Sequence, residues 1–552
     1  MSMVTPLVER VFKKAPKAPD GLRKPPVLSR SLPVVGHTVE FVRGTIGLLA
    51  RAQKELGEIA EIHVAGKKMV AVFGPDANEA VFRAKDEHLS PSEAYKIMTP
   101  VFGKDIVYDA PPEKMNEQFK MLLPALKDRR MRTYGEIIVA EVEKSLESWG
   151  DSGEIDMVDY CRILTNFTSS HCLLGHEFRT GMTEEFARVY TSLERGVTPI
   201  AYLNAHLPLP SFRERDRARV RLVEMVGEII QQRRASGRTG EDFLQTLMDA
   251  KYKSGANLSE HEITGMLIAA MFAGHHTSSV TTAWCILELC QSPEYLRRVR
   301  EELDGMFGGG EQVTFNSLRN VPLTERVVLE TLRLHPPLFM LVRVAKEDFV
   351  YKDYFIAKGT WVLISPTVTH QIPELFVEPE KFDPDRFGPP REEDKRDFAF
   401  IPFGGGRHKC MGNAFALLQV KAILSILLRR YDFEIVKTPV ESDFHGLVVG
   451  PKEPCRVRYT RRKVAGVAVG GAGAGVASQN KLARRFRVEL DLDLCQGHAV
   501  CVGEAPELFR VRGLGKVELA TSTFAPELYP RAVAAAKYCP TKTIRVVEEP
   551  DA

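Results

Sequence analysis

The sequence contains no apolar run able to cross a bilayer. Its longest nearly uncharged stretch, Val464–Ala477, has 14 residues and is rich in Gly, against roughly 20 for a spanning helix. It also lacks an excess of either charge: 75 Lys+Arg face 72 Asp+Glu, a net of +3, so nothing electrostatic recommends a nucleic-acid partner. Cysteines are few and odd in number, nine in 552 residues, and no secretory signal precedes them. A disulfide scaffold is therefore not expected, and each cysteine has to be read by its neighbourhood. No internal repeat and no GxGxxG dinucleotide fingerprint stands out. What remains is an ordinary globular composition, 44% hydrophobic and 27% charged, which argues against disorder.

The N-terminal segment Met1–Lys14 places Val4, Leu7, Val8, Val11 and Phe12 on one helical face. That pattern fits a short helix docked on the body, with an interfacial helix on a membrane surface as the alternative. Pro16, Pro19, Pro25, Pro26 and Pro33 then make a stiff extended connector. From about residue 40 to 463 helical patterns dominate, with amphipathic stretches at Tyr134–Trp149, Ala218–Arg234, His261–Cys290, Leu323–Leu334 and Met411–Tyr431. Strand-like pieces occur at Glu61–His63 and Met69–Phe73. Composition changes at Val464. Residues 464–480 lack charges and aromatics and read as an Ala/Gly-rich flexible linker, and residues 481–552 have a strand-like start and a cysteine pair. The expected organisation is a mainly α domain with small β-sheets over 1–463, the linker, and a small α+β domain over 481–552.

The most informative stretch is Phe403-Gly-Gly-Gly-Arg-His-Lys-Cys410-Met-Gly412. Three glycines allow a tight turn and close backbone approach to a flat cofactor. Arg407, His408, Lys409 and a following helix start are expected to favour the Cys410 thiolate. The pattern FxxGxxxCxG resembles the cysteine loop of the cytochrome P450 superfamily, whose thiolate ligates haem iron. Three further segments agree with it. Glu330-Thr-Leu-Arg333 sets an acid and a base on one helical face, and Phe382-Asp-Pro-Asp-Arg386-Phe387 supplies a second arginine for that pair; Glu330, Arg333 and Arg386 are assigned to folding and haem retention. Met271-Phe-Ala-Gly274-His275-His276-Thr277-Ser-Ser279 interrupts an apolar helix with a glycine, which leaves room for dioxygen beside Thr277. Where most of the superfamily carries Asp or Glu before this threonine, the chain has His276, whose imidazole can relay protons; His275 is open between relay and core group.

AGHHTSS resembles the sterol 14α-demethylase family, as does Glu93–Gly103 followed by Ile106–Asp109. The resemblance spans essentially residues 25–460. It implies that Tyr95, Tyr108, Arg343 and His408 hold the propionates of haem b, and that Thr277 and His276 are catalytic. A basic residue usual on the family's C helix is replaced by Phe119, with Lys120 beside it. The implied substrate wall is Ile97, Met98, Phe102, Met121, Leu122, Phe272, Ala273, Leu338, Met340 and Leu447, an apolar lining suited to a fused-ring sterol. In the family, phenylalanine at the Ile97 position accompanies sterols that have lost one C4 methyl, and a branched aliphatic accompanies 4,4-dimethyl sterols. The implied reaction removes the 14α-methyl of lanosterol or a relative in three oxygenations with dioxygen. The alternative is a haem-thiolate hydroxylase of another triterpenoid or lipid.

The tail carries Cys495-Gln-Gly-His498-Ala-Val-Cys501 and, 38 positions on, Cys539-Pro540. Soft thiolates on a short loop closed by a distant Cys-Pro suit an iron–sulfur cluster better than zinc. The pattern resembles single-cluster bacterial ferredoxins. His498 stands where four-iron members carry a cysteine, so three thiolates predict [3Fe-4S], with [4Fe-4S] and His498 as fourth ligand the alternative. The 17-residue linker spans roughly 20–25 Å, which implies millimolar effective concentration. The expected electron source is a separate NAD(P)H-dependent ferredoxin reductase. The expected setting is the cytoplasm of a bacterium, with peripheral inner-membrane contact left open.

Overall fold

The computed structural model describes residues 17–32, 35–181, 183–198, 201, 204–237, 240, 242–444, 447–463, 486–512, 516–539, 541 and 543–548. The expected N-terminal helix Met1–Lys14 and the linker 464–480 lie outside them.

A 32-residue helix, Glu260–Gln291, forms the axis of the large unit, about 48 Å at 1.5 Å per residue. Ser259 caps it: its hydroxyl accepts from the Glu262 amide while the Glu262 carboxylate accepts from the Ser259 amide, so two otherwise unpaired donors are satisfied. Pro293 opens the next helix, Pro293–Phe307, where a proline costs no hydrogen bond. Residues on every face of the central helix are buried, from Ile263 and Met266 to Trp284 and Leu289, as befits a helix enclosed by others. Its neighbours include Met157–Leu174, Pro210–Ser236, Pro322–Leu334 and Asn413–Arg430.

Beside this bundle lies a five-stranded sheet in the order Ile59–Val64, Lys67–Val72, Trp361–Ile364, Leu341–Ala345, Leu89–Ser90. The first two strands pair antiparallel from Ile59↔Val72 to Val64↔Lys67, extending the two strand-like pieces seen in sequence. The proline-rich connector is stitched to this sheet, because the Leu28 amide donates to Glu61 O (2.9 Å) and the Glu61 amide to Pro26 O (2.7 Å). The five predicted helices all form. Two start earlier than expected, Asp128–Ser145 against Tyr134–Trp149 and Pro210–Ser236 against Ala218–Arg234, because their first turns are mostly charged or polar and show little apolar period to read.

The C-terminal unit has a three-stranded sheet, Thr523–Phe524, Phe486–Leu490, Ile544–Glu548, and a hairpin, Phe509–Arg512 with Lys516–Leu519. Helices Val500–Glu504 and Tyr529–Tyr538 cover them. Phe486, Val488, Leu508, Phe509, Ala532 and Ile544 form a core of its own. Among the described residues no helix is long and apolar enough to cross a membrane.

Candidate functional site

Cys410 lies between a short turn, Gly406–His408, and the helix Asn413–Arg430, which begins two residues later than expected. Its amide donates to Phe403 O (2.8 Å), closing the loop. The three glycines divide their work. A Cβ on Gly406 would stand 1.9 Å from Phe82 O, and one on Gly405 would stand 2.7 Å from the Phe82 ring. Gly404 and Gly406 have φ of 67° and 64°, a region where L side chains are strained. Two of the glycines thus let the loop pack on helix Pro75–Arg83, a steric demand the cofactor reading had not included.

Cys410 is exposed, whereas Cys161, Cys172, Cys285 and Cys455 are buried and Cys290 half-buried. Burial pushes Cys285 and Cys290 up to about 12, so they are inert thiols. The expected lowering of the Cys410 pKa by its basic neighbours is not found. Surrounding protein raises it, and only the Gly412 amide and the Lys409 charge oppose that rise. His408 is engaged elsewhere: its Nε2 meets Asp86 Oδ1 at 2.7 Å. Bonding to a metal ion, which deprotonates a coordinating thiol outright, is what would make this sulfur a thiolate.

Tyr95, Tyr108 and His408 form one group, and the charge of Arg343 reaches Tyr108. Tyr95 and Tyr108 stack at 4.7 Å, and Tyr108 lies 6.0 Å from the His408 ring. Val107, at a strained φ of 49°, presents Tyr108, and its amide is held by Gln118 Oε1 at 2.6 Å. Arg343 is buried and donates to Val342 O (3.0 Å), which leaves guanidinium donors to spare. Phe119 closes the group edge-on to Tyr108 and His408, at 5.5 and 6.3 Å, while Lys120 is exposed. An aromatic contact therefore occupies the place of the family's usual cation. A buried arginine with unspent donors, two phenols and the imidazole of His408 in the same loop as an exposed thiol fit a propionate-bearing macrocycle ligated by sulfur.

On the central helix, Thr277 Oγ1 donates to Ala273 O (2.8 Å), and Ala273 is the exposed residue of the segment. A Cβ on Gly274 would meet Leu173 and Phe415 at an ordinary 3.9 Å, so protein packing alone does not require that glycine. Sequence reading missed Glu194 of helix Thr183–Arg195. Its Oε2 lies 3.0 Å from His276 Nε2 and its Oε1 3.2 Å from His275 Nδ1. Burial works to raise the Glu194 carboxyl, but the bonds from both histidines outweigh it and bring its pKa down to about 2. His275 is almost fully buried and its Nε2 also meets Arg162 O at 2.9 Å, so both its ring nitrogens face oxygens. His276 is half-buried.

Ile97, Met98, Met121 and Leu122 are buried in one apolar cluster, with Phe102, Phe272 and Leu447 packed against it. Phe102 and Phe272 meet edge to face at 6.1 Å. Leu338 and Met340 join two neighbouring clusters on the sheet side. Behind the cysteine loop, Glu330 binds both Arg333 Nε (2.7 Å) and Arg386 Nε (3.0 Å), all three fully buried. Arg333 also donates to the carbonyls of His370, Pro379 and Lys381, the saturated arrangement of a structural cluster.

In the C-terminal unit Cys495, Cys501, Cys539 and His498 line one pocket with Thr541 and Thr543. Burial, with Cys539 and Cys495 adding repulsion, pushes the Cys501 thiol up to about 12. Burial also works to raise Cys539, but Thr543 and Thr541, whose hydroxyls lie 3.2 and 3.6 Å from Sγ, bring the net shift down. Three sulfurs whose negative charges repel in one enclosure fit a cationic iron–sulfur centre. Burial with the nearby Lys409 charge lowers His498 to about 4, and its Nε2 lies 3.2 Å from Gln496 Oε1. Only Nδ1 then remains as a ligand atom.

The cytochrome P450 family model matches residues 25–457, and the 4Fe-4S single cluster domain model matches residues 488–546. Over 434 residues the chain is 43% identical to sterol 14alpha-demethylase of Mycolicibacterium vanbaalenii, a match covering 77% of this chain and 96% of that protein. Over 450 residues it is 39% identical to obtusifoliol 14-alpha demethylase of Sorghum bicolor, covering 80% and 91%. The solved structure of retinoic acid bound cyanobacterial CYP120A1 matches with a TM-score of 0.70 at 26% identity, covering 80% of this chain and all of that one. This chain belongs to the sterol 14α-demethylase family of cytochrome P450 monooxygenases and carries, on the same polypeptide, a ferredoxin domain of the single-cluster type.

Proposed function

We propose that the chain removes the 14α-methyl group of lanosterol or a related 4,4-dimethyl sterol, with electrons passed from its own ferredoxin domain. The observation that carries this reading is the exposed thiol of Cys410 two residues after His408, whose ring lies 6.0 Å from Tyr108 with Tyr95 stacked on it, together with the single apolar cluster that holds Ile97, Met98, Phe102 and Phe272. Haem bound at Cys410 supplies the dioxygen activation that three oxygenations of the methyl carbon require, to alcohol, to aldehyde, and to release as formate.

The protein's own groups do the rest. Arg343 and the two tyrosines anchor the propionates, and His408 adds Nδ1 while Asp86 holds its other nitrogen. The apolar wall excludes water and orients the fused rings. Ile97 is shorter than phenylalanine and leaves space for the second C4 methyl. The Thr277 hydroxyl, bonded back to Ala273 O, sits one turn from the exposed segment of the helix. His276 holds a proton at Nε2 against the ionised Glu194, which makes it the relay toward Thr277. Cys495, Cys501 and Cys539 supply three thiolates. With the His498 Nε2 committed to Gln496, [3Fe-4S] is the favoured cluster. Residues 1–463 and 481–552 act as the two working units joined by the linker 464–480, and a separate NAD(P)H-dependent reductase feeds the second.

Incubation with lanosterol, a ferredoxin reductase and NADPH is expected to give the 14-desmethyl sterol and one formate per turnover. Cys410→Ser is expected to abolish it together with the carbon-monoxide band of sulfur-ligated ferrous haem. Hydroxylated lanosterol that retains all its carbons would instead support a general triterpenoid hydroxylase.

A further inference from the structure

Among the described residues the ferredoxin domain meets the P450 domain through one side-chain amide and a set of ion pairs. The amide is that of Gln496, in the loop between Cys495 and Cys501. Its Nε2 donates to Lys409 O (2.9 Å) and Arg407 O (3.3 Å), two carbonyls of the turn that carries Cys410. Its Oε1 faces, at 3.2 Å, the Nε2 of His498, a residue that lines the sulfur-bearing pocket. One side-chain amide thus spends both ends joining the cluster pocket to the peptide unit directly before Cys410.

Around it, among the described residues, stand three ion pairs: Arg83–Asp491 (3.0 Å), Arg319–Glu504 (2.7 Å) and Arg545–Asp397. Arg319 also lies 4.4 Å over the ring of Tyr538, the residue before Cys539. In the first two pairs the cation belongs to the P450 domain, and in the third to the ferredoxin domain. A module rotated on this face would bring like charges together, so the mixed polarity selects one orientation. Exposed or half-exposed pairs add little binding each and are screened by salt.

We propose that Gln496 is the positioning residue of intramolecular electron delivery, fixing the cluster pocket against the Cys410 turn within the frame set by the three ion pairs. The proposal rests on the reading that the fused module is the electron donor. In each transfer one electron leaves the reduced cluster and one enters ferric haem iron, with no bond made or broken, and the NAD(P)H-dependent reductase restores the cluster. Electron tunnelling falls steeply with path length, and a path through hydrogen bonds and covalent bonds exceeds one across a gap. Gln496 supplies such a path: His498, the carboxamide, Lys409 O, then the backbone into Cys410.

The test uses the full-length holoenzyme. Rapid mixing with reduced reductase follows cluster and haem reduction separately, and small-angle scattering gives the radius of gyration of the same samples. In Gln496→Ala, haem reduction is expected to slow about tenfold while both midpoint potentials stay unchanged, and the radius is expected to grow as it does for wild type in 0.5 M salt, roughly a 4 Å Debye length. Gln496→Glu is expected to be slower still, because a carboxylate oxygen would then face two carbonyls. Unchanged haem reduction and radius in both variants would overturn the proposal, as would slowing that tracks a shifted cluster potential. The parent reading fails separately, if Cys501→Ser loses the cluster signal yet its haem is reduced by the reductase as fast as in wild type.

Discussion

Two buried carboxylates in the P450 domain have nearly the same geometry and different cationic partners. Glu330 lies between Arg333 and Arg386, and Glu194 between His275 and His276. Arginine does not give up its proton at any working pH, so the first cluster is fixed in charge and can only hold elements together. An imidazole, unlike a guanidinium, can both hold and release a proton, which is why the proposed relay runs through the second cluster. Burial differs in the same sense: Glu330, Arg333 and Arg386 are fully enclosed, whereas His276 is reachable. What a carboxylate does here is set by the chemistry of its cations more than by its own position.

The sharpest way to break this comparison is at Glu330. Glu330→Ala leaves two buried guanidinium groups with no counter-charge, an expected loss of about 3–5 kcal/mol. Denaturant unfolding and haem content should both fall severely, while turnover per bound haem in the surviving fraction stays normal. Reduced turnover per haem would make that cluster more than structural. Glu194→Gln keeps the shape and removes the charge. Turnover is expected to drop about a hundredfold, the lower end of what a positioned proton-transfer group contributes, with haem content retained. The same variant tests the acid limb. Glu194 is depressed from the ordinary 4.5 to about 2, so its contribution to stability is complete above pH 4.5 and is lost as the pH falls toward 2. Acid unfolding between those values should therefore be shallower in Glu194→Gln than in wild type.

The same pair shows how much the sequence discloses. Glu330 and Arg333 are three residues apart on one helix, a spacing visible without any fold, and the Cys410 turn is equally local. Glu194 and His275 are 81 positions apart, and Asp86 and His408 are 322 apart. Only tertiary packing joins them, and no motif marks either acid. One signal was available for Glu194: it falls one helical turn after Tyr190, on the stripe of Phe186, Tyr190 and Leu193, all buried. An acid on an apolar stripe needs a partner. The glycine turn was legible as a turn, but its main steric partner, Phe82, lies on a distant helix and had to be seen. The interdomain contact through Gln496 was wholly invisible, since it depends on how two folded units meet.

The smallest expected effect concerns a residue in neither cluster. Ile97 carries no charge and is 6% exposed, so Ile97→Phe can act only through volume, and its size decides between two surroundings. If the side chain borders the substrate space, the larger ring fills it at the expense of the second C4 methyl. The ratio of kcat/KM for 4-monomethyl over 4,4-dimethyl sterols should then rise about tenfold, in line with the 1–3 kcal/mol that a methylene-sized change is worth in an apolar pocket, and thermal stability should stay put. If Ile97 is instead locked among Met98, Met121 and Leu122, the added atoms overpack the cluster and cost about 1–3 kcal/mol of stability, with no change in preference. Measuring both quantities on one variant separates a specificity residue from a packing residue. Because neither carboxylate cluster is touched, the acid-unfolding slope should match wild type in either case.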